Sequence, residues 1–385
     1  MPKLAKPAPS SGVSVLIGPD HLPITGQSDA FNTLKIGQQA DEIFVHYPAR
    51  PLSFRNLAVL LRLAAALCAR GPKTVYLTIS RTPRGFLRDA LILSIARMGG
   101  ARTVVHLHGA DFARFLEQRG RAHYWMIGFV YARVSAAIVL CPEMRKEFAA
   151  FPGLPVHVIA NAASRDVAAR ARQARNVAAP AGLPLRLLFL SNLIPSKGLN
   201  ELIGAITEIR GEGGDVELAI CGRQGFSRDL DDLMTALPDG INYLGPVIGE
   251  EKLMQLEQAD VVVLPSYYSS EAQPICLIEA MHFGKAVIYT DHNYLPDCIP
   301  EAAGICIQTR SVTALSTAIR TYAGDRALLA RHGKEGQHFA RQHHTEEVYG
   351  TRVRELLLRV RRQQHVQTVG ASDVARRMKG RPRND

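Results

Sequence analysis

Short apolar runs alternate with longer stretches whose apolar positions recur every three or four residues, from about residue 13 to residue 350. The short runs, rich in Val, Ile and Leu and bounded by Gly, Pro, Asn or Asp, predict strands; the periodic stretches predict helices. In the first half, strands are predicted at Val13–Gly18, Glu42–His46, Thr74–Thr78, Thr103–Leu107, Ala136–Leu140 and Val156–Ile159. In the second half they fall at Arg186–Leu190, Val216–Ile220, Ile241–Leu244, Val261–Leu264, Val287–Tyr289 and Gly304–Ile307. Alternation of this kind builds parallel sheets joined by crossover helices, the α/β class. At 385 residues the chain exceeds one ordinary core, which divides it into two such domains.

The expected organisation is a flexible N-terminus over residues 1–12, a first domain over 13–166 and a connection over 167–184, rich in Ala, Arg and Pro. A second domain follows over 185–344, then a helix over 345–362. Residues 363–385 are polar and basic without an apolar period, so a disordered tail is expected there.

Charge sharpens this division. The chain carries a net +11, but residues 1–180 hold +13, residues 181–358 hold −8 and the rest hold +6. A basic first half beside an acidic second half points to an anionic partner for the first: a membrane surface, a phosphate-bearing acceptor or nucleic acid. No basic motif interleaved with aromatics supports nucleic acid. Residues 1–12 lack the apolar core of a secretory signal, and the most apolar stretch, Leu57–Cys68, is too short to span a bilayer and contains Arg62. The six cysteines have no close metal-type spacing and sit in apolar contexts, so buried reduced thiols in a cytoplasmic protein are expected.

The densest chemistry surrounds Glu271 and Glu279. Pro274 lies between them and disfavours helix at the residue before it while suiting a first helical turn. Glu271 therefore belongs to the loop after the strand Val261–Leu264, and Glu279 to a short helix ending at Gly284. In an open parallel sheet that edge is where ligands bind. Three other loops end strands. Ser191–Gly198 carries Asn192, Lys197 and Gly198 ahead of a helix, whose amides suit phosphate. Gly18–Gln27 contains Gly26, which could admit close backbone approach. Cys221–Gly225 offers Gly222, where a nucleotide could lie flat, and Arg223, which could pair with phosphate. His106 and His108 point the same way on a strand; a metal pair is one reading, but no third ligand has convergent spacing, and a hydrogen bond from His108 to a substrate fits as well.

Together these segments resemble a family 4 glycosyltransferase of the GT-B fold. Glu271 and Glu279 match the E-x7-E motif of that family, and Glu279–Val287 resembles the stretch that follows it. Ser191–Gly198 resembles its lysine-glycine loop, His108-Gly109 its H-G step, and Val158–Asn161 its V-x-x-N step. The matches keep the family's order over most of the chain. Asn192 stands where many members have Arg, so either Arg223 compensates or Lys197 acts alone; Ala272 replaces the usual Gly and Ala286 the usual Pro.

The resemblance implies two Rossmann-like domains facing across a cleft, with the last helix crossing back onto the first. The first domain would position the acceptor and the second would bind the nucleotide-sugar. It implies retaining hexosyl transfer from a UDP- or GDP-linked donor to a glycan or lipid-linked acceptor, with no cofactor and no essential metal. Glu271, Lys197 and His108 would be catalytic. Donor-binding residues would be Gly26, Asn192, Gly198, Gly222, Arg223, Ala272, Gln273, Pro274, Ile275 and Glu279. Partners would be the donor, the acceptor and an anionic membrane surface reached by the basic half, where Arg81, Arg84 and Arg88 lead into an amphipathic stretch ending at Arg97. The alternatives are a non-hydrolysing sugar-nucleotide epimerase of the same fold and a non-catalytic nucleotide-sugar-binding protein.

Overall fold

The structure is a computed structural model that describes residues 12–21, 25–48, 55–70, 74–174, 182–225 and 227–379. Its first sheet contains β1 (Ser14–Pro19), β2 (Glu42–Tyr47), β3 (Thr74–Thr78), β4 (Arg102–His106), β5 (Ala136–Val139) and β6 (Val156–Val158), in the order β2-β1-β3-β4-β5-β6. The second contains β7 (Leu185–Leu190), β8 (Val216–Cys221), β9 (Ile241–Gly245), β10 (Val261–Leu264), β11 (Ala286–Thr290) and β12 (Gly304–Ile307), in the order β12-β11-β10-β7-β8-β9. Neighbouring strands pair in parallel, and the predicted strands are all present with ends shifted by no more than one residue. Strands covered on both faces read as unbroken apolar runs. Val261–Leu264, wholly buried, is such a run.

Alternation along each strand splits the first domain's core in two. Val15, Ile17, Val75, Leu77 and Val105 face Val59, Leu63, Phe86, Ile92 and Ile127, from the helices Arg55–Arg70, Pro83–Met98 and Arg121–Tyr131. Leu16, Tyr76, Val104 and Ile138 face the other way, toward Phe31 of the helix Gly26–Ile36 and toward Tyr349, Val353, Leu356, Leu357 and Val360. Those last five lie on the helix Glu346–Lys379, so the end of the chain crosses back and completes the first domain. Arg354 fixes it with an ion pair to Glu42 at 2.9 Å and a hydrogen bond to the Leu34 carbonyl at 3.0 Å. Arg361 adds an ion pair to Asp41 at 3.1 Å.

Several expectations need correction. The last helix does not stop at residue 362 but runs to Lys379. Residues 363–379 contain no proline, and about half are Gln, Arg, Ala, Met or Lys, which favour helix, so lack of an apolar period does not prevent helix there. Residues 380–385 and 1–11 lie outside the described residues. The expected connection begins as a helix, Arg165–Gln173, capped by the Ser164 hydroxyl, which accepts from the Val167 amide; residues 175–181 lie outside the description. The thiols are free, but Cys68 and Cys306 are exposed rather than buried. Arg88 is not a surface charge: it is buried and paired with the fully buried Asp89 at 2.7 Å. Arg81 pairs with Asp111 of its own domain and reaches across to the second, donating to the Ser270 hydroxyl at 2.8 Å.

Candidate active site between the two domains

The loop following β10 turns sharply and leads into the helix Ile275–His282, with Pro274 as the residue before its first turn. Pro cannot donate a backbone hydrogen bond and its φ is preset, so the helix starts where the sequence predicts. Glu271 lies in the loop and Glu279 on the helix, both with side chains less than a tenth exposed.

Lys197 reaches Glu271 from the loop after β7. Its ammonium donates to Glu271 Oε2 at 2.5 Å, and Ser266 Oγ donates to the same oxygen at 2.8 Å. The ammonium also lies 5.1 Å from the centroid of the Tyr268 ring. Lys197 ends a single 3₁₀ turn, Pro195–Lys197, and Gly198 then adopts φ +78° before the helix Leu199–Gly211. A β-carbon at Gly198 would run into the Pro265 carbonyl oxygen, so this turn fits only with glycine. Gly222 is equally confined: a β-carbon there would strike the carbonyl of Ser191. Close packing of these backbones sets Asn192 beside Arg223, since the Leu193 amide donates to the Arg223 carbonyl at 3.0 Å. Arg223 is exposed.

Glu279 has a partner that no motif announces. Lys252, on the helix Gly249–Gln258, donates to Glu279 Oε1 at 2.6 Å. Burial pushes the Glu279 pKa up, the Lys252 charge opposes that rise, and the charge of Asp29 across the cleft adds to it. Burial lowers the pKa of Lys252, but Glu279, followed by Asp29, more than offsets this, so the net shift is upward. Asp29 belongs to the helix opened by Gly26, which brings the two domains electrostatically together at this point. Gly26 itself is the first residue of that helix, and a β-carbon there would meet nothing within 4 Å.

From the first domain, His108 follows β4 with both ring nitrogens buried and without hydrogen-bond partners. Burial, helped by the Arg81 charge, lowers its pKa to about 3, which keeps the imidazole neutral. The His106 ring lies 3.9 Å from it and bonds to the Tyr76 hydroxyl at 2.7 Å. Among the described residues no third His, Cys, Asp or Glu joins this pair in a metal-holding group.

The two domains meet through sequence-distant pairs. Gln273 is gripped twice by Asn161: its side-chain oxygen accepts from the Asn161 amide at 2.6 Å and its carbonyl from Asn161 Nδ2 at 3.1 Å. The Ala110 amide donates to the Ser270 carbonyl at 3.3 Å. The Tyr294 hydroxyl donates to Glu147 at 2.6 Å. Ala272 is buried, and Ile275 opens the helix behind Pro274. The structure thus gathers Glu271, Lys197 and Gly198 at one point, keeps Glu279 on the adjoining helix, and leaves Gly26 with no packing that demands glycine. Lys252, Ser266, Asn161 and Ser270 are neighbours that sequence reading did not single out as site residues. Ser266 at least was traceable, because it lies between the strand and Glu271.

Comparison with known proteins agrees with this fold. The "Glycosyl transferase 4-like domain" profile matches residues 15–162, and the "Glycosyl transferases group 1" profile matches residues 172–339. The chain belongs to the family 4-like glycosyltransferases of GT-B fold. It is 27% identical over 288 residues to the GDP-mannose-dependent alpha-(1-6)-phosphatidylinositol monomannoside mannosyltransferase of Mycolicibacterium smegmatis, covering 70% of this chain and 73% of that protein. It is 32% identical over 126 residues to the amylovoran biosynthesis glycosyltransferase AmsK of Erwinia amylovora, a match spanning 30% of each. Matches to several curated relatives therefore span less than half of their length. Among solved structures, sucrose-phosphate synthase of Thermosynechococcus elongatus superposes with a TM-score of 0.68 at 17% identity, covering 91% of this chain and 99% of that one. HepE of Anabaena, in complex with UDP, gives 0.69 at 15%, covering 90% and 99%.

Proposed function

We propose that the protein transfers a hexose from a UDP- or GDP-linked donor to a glycan or lipid-linked acceptor, with retention of anomeric configuration, in cell-surface polysaccharide or glycolipid synthesis. The observation that carries this reading is the Lys197–Glu271–Ser266 cluster, held by the confined turn at Gly198. An ammonium has three donors, and Glu271 takes one at 2.5 Å, so two remain for a diphosphate. Charge grows on that diphosphate as the glycosidic bond breaks, and a fixed cation with oriented amides stabilises it most at that moment. The loop amides of Ala272, Gln273, Pro274 and Ile275 line the approach, proline contributing shape rather than a donor. Asn192, Gly222 and Arg223 would flank the nucleotide, and Gly26 would face it from the first domain.

In this reading Glu271 holds donor-sugar hydroxyls, Glu279 accepts from the ribose hydroxyls, and neutral His108 orients the sugar near its reacting carbon. A neutral imidazole with two open nitrogens suits hydroxyl recognition better than proton transfer. No metal is required by these roles. The GDP-mannose-dependent relative, whose name carries a phosphatidylinositol acceptor, and the UDP complex of HepE support a nucleotide-sugar donor and leave the base open. A membrane surface is the partner that a lipid-linked acceptor implies.

Incubation of the chain with UDP- and GDP-hexoses and a polyprenyl- or inositol-phosphate acceptor, followed by NMR of the product anomer, tests the proposal. An inverted product rules out retention. Interconversion of the donor without acceptor would establish the epimerase instead.

A further inference from the structure

One loop of the second domain is held from both sides of the cleft. Residues 266–273 carry Glu271, and Asn293 of the same domain donates through Nδ2 to the carbonyls of Ser269 and Glu271, each at 3.1 Å. The carbonyl between them, that of Ser270, accepts instead from the Ala110 amide of the first domain at 3.3 Å. The Ser270 side chain also makes its contacts there. Its hydroxyl accepts from Arg81 Nη2 at 2.8 Å and donates to Asp111 Oδ1 at 3.0 Å.

A serine hydroxyl has one proton to give; here a carboxylate takes it while a guanidinium fills a lone pair. Arg81 and Asp111 pair with each other as well, so each of the three groups touches the other two. Hydrogen bonds with an ionised partner are the stronger kind, and Ser270 makes two of them while buried. Arg81 follows β3 and Asp111 follows β4, so both stand at the carboxyl ends of first-sheet strands. Gly109 leaves room for the contact: a β-carbon there would collide with the Arg81 guanidinium and with Ser270 Oγ.

Glu271 is thus fixed by two domains at once. Lys197 and Ser266 of the second hold its carboxylate, while the residue before it is bound to the first. We propose that Ser270 is a positioning residue. Through its hydroxyl, the Arg81–Asp111 pair sets the loop so that Glu271 meets the donor sugar only when the domains are together. The catalytic purpose rests on the reading of Glu271 as the holder of donor-sugar hydroxyls; the coupling of Arg81 to the loop does not. A shift of about 1 Å in such a group can cost as much as 10²-fold in rate, so an anchor one residue away matters to turnover.

Ser270→Ala, Arg81→Gln and the double variant are compared with the wild-type chain, each saturated with UDP or GDP. Hydrogen exchange is read on residues 266–273, where the amides of Tyr267, Tyr268 and Glu271 are bonded within the second domain. Both single variants are expected to speed exchange in this loop, although Arg81 belongs to the other domain. Each should lower kcat at least about tenfold with donor KM and nucleotide affinity close to wild type. The double variant should be no worse than the poorer single one. Arg81 also helps to lower the His108 pKa, and a loss by that route would multiply with the loss through Ser270. A double variant whose kcat loss is the product of the two single losses overturns the proposal. So does wild-type loop exchange in Arg81→Gln, or a nucleotide affinity that falls as far as kcat. A wild-type chain that transfers no hexose fails the functional reading, and loop exchange in Arg81→Gln then decides the coupling by itself. A chain that transfers hexose with loop exchange indifferent to Arg81 fails only the coupling.

Discussion

Lys252 donates to Glu279 Oε1 at 2.6 Å, and this ion pair lies where burial alone would favour a neutral carboxyl group. Without a cation, a carboxylate so enclosed takes up a proton more readily. The lysine therefore holds Glu279 in the ionised form that can accept from two hydroxyls at once. Lys252→Met is expected to weaken UDP or GDP binding by roughly tenfold, about 1.4 kcal/mol. Loss of the charge that lowers the Glu279 pKa raises it further, so the acid limb of nucleotide affinity should move to higher pH. Calorimetry across pH checks both, and an affinity that falls equally at every pH would leave Lys252 a merely structural role.

Lys197→Ala should reduce turnover by roughly 10²–10³, the usual cost of one electrostatic donor to a developing anion. Ser266 keeps one partner for Glu271 in that variant, at 2.8 Å, so the loop should stay formed. Steady-state kinetics beside circular dichroism reads the two effects apart. A folded variant with near-normal transfer would end the phosphate role.

Gly198→Ala tests the confined turn. The residue sits at φ +78°, and a left-handed conformation costs a non-glycine residue about 1–2 kcal/mol before the collision with Pro265 is counted. Thermal unfolding should show at least that loss, and transfer should fall with it because Lys197 is the preceding residue. Gly26→Ala is the control: nothing lies within 4 Å of its β-carbon, so stability should barely change.

The buried histidines predict a direction for acid. His108 has a pKa of about 3 and His344 of about 4, both lowered chiefly by burial, against roughly 6.5 in an unfolded chain. Between those values the unfolded state binds the extra protons, so stability is full above about pH 6.5 and declines as pH falls toward the folded pKa values. Denaturant unfolding at a series of pH values should show this slope. His108→Gln should flatten it, and an unchanged slope would mean that His108 is not held neutral.

The strands and the site motif were legible because their causes are local. A run such as Val261–Leu264 is apolar throughout because both of its faces are covered, and Pro274 starts a helix by its own ring geometry wherever the chain goes. The same locality makes Glu271 a loop residue and Glu279 a helical one. Residues 363–379 form helix although they show no apolar period, because helix follows from residue propensity as well as from period.

Other features depended on which segments the fold brings together. Lys252 sits in Gly249–Gln258, a helix that reads as acidic surface, and becomes a partner of Glu279 only through packing. Asn161 meets Gln273 across 112 residues, and Arg81 meets Ser270 across 189. Arg88 looked like part of a basic surface patch, yet the fold buries it against Asp89. The sequence by itself determined the two-sheet architecture and the two glutamates, because these follow from backbone geometry and short-range periodicity. Tertiary structure alone decided which charge neutralises which, and which loops meet across the cleft, because both depend on distances between residues far apart in the chain.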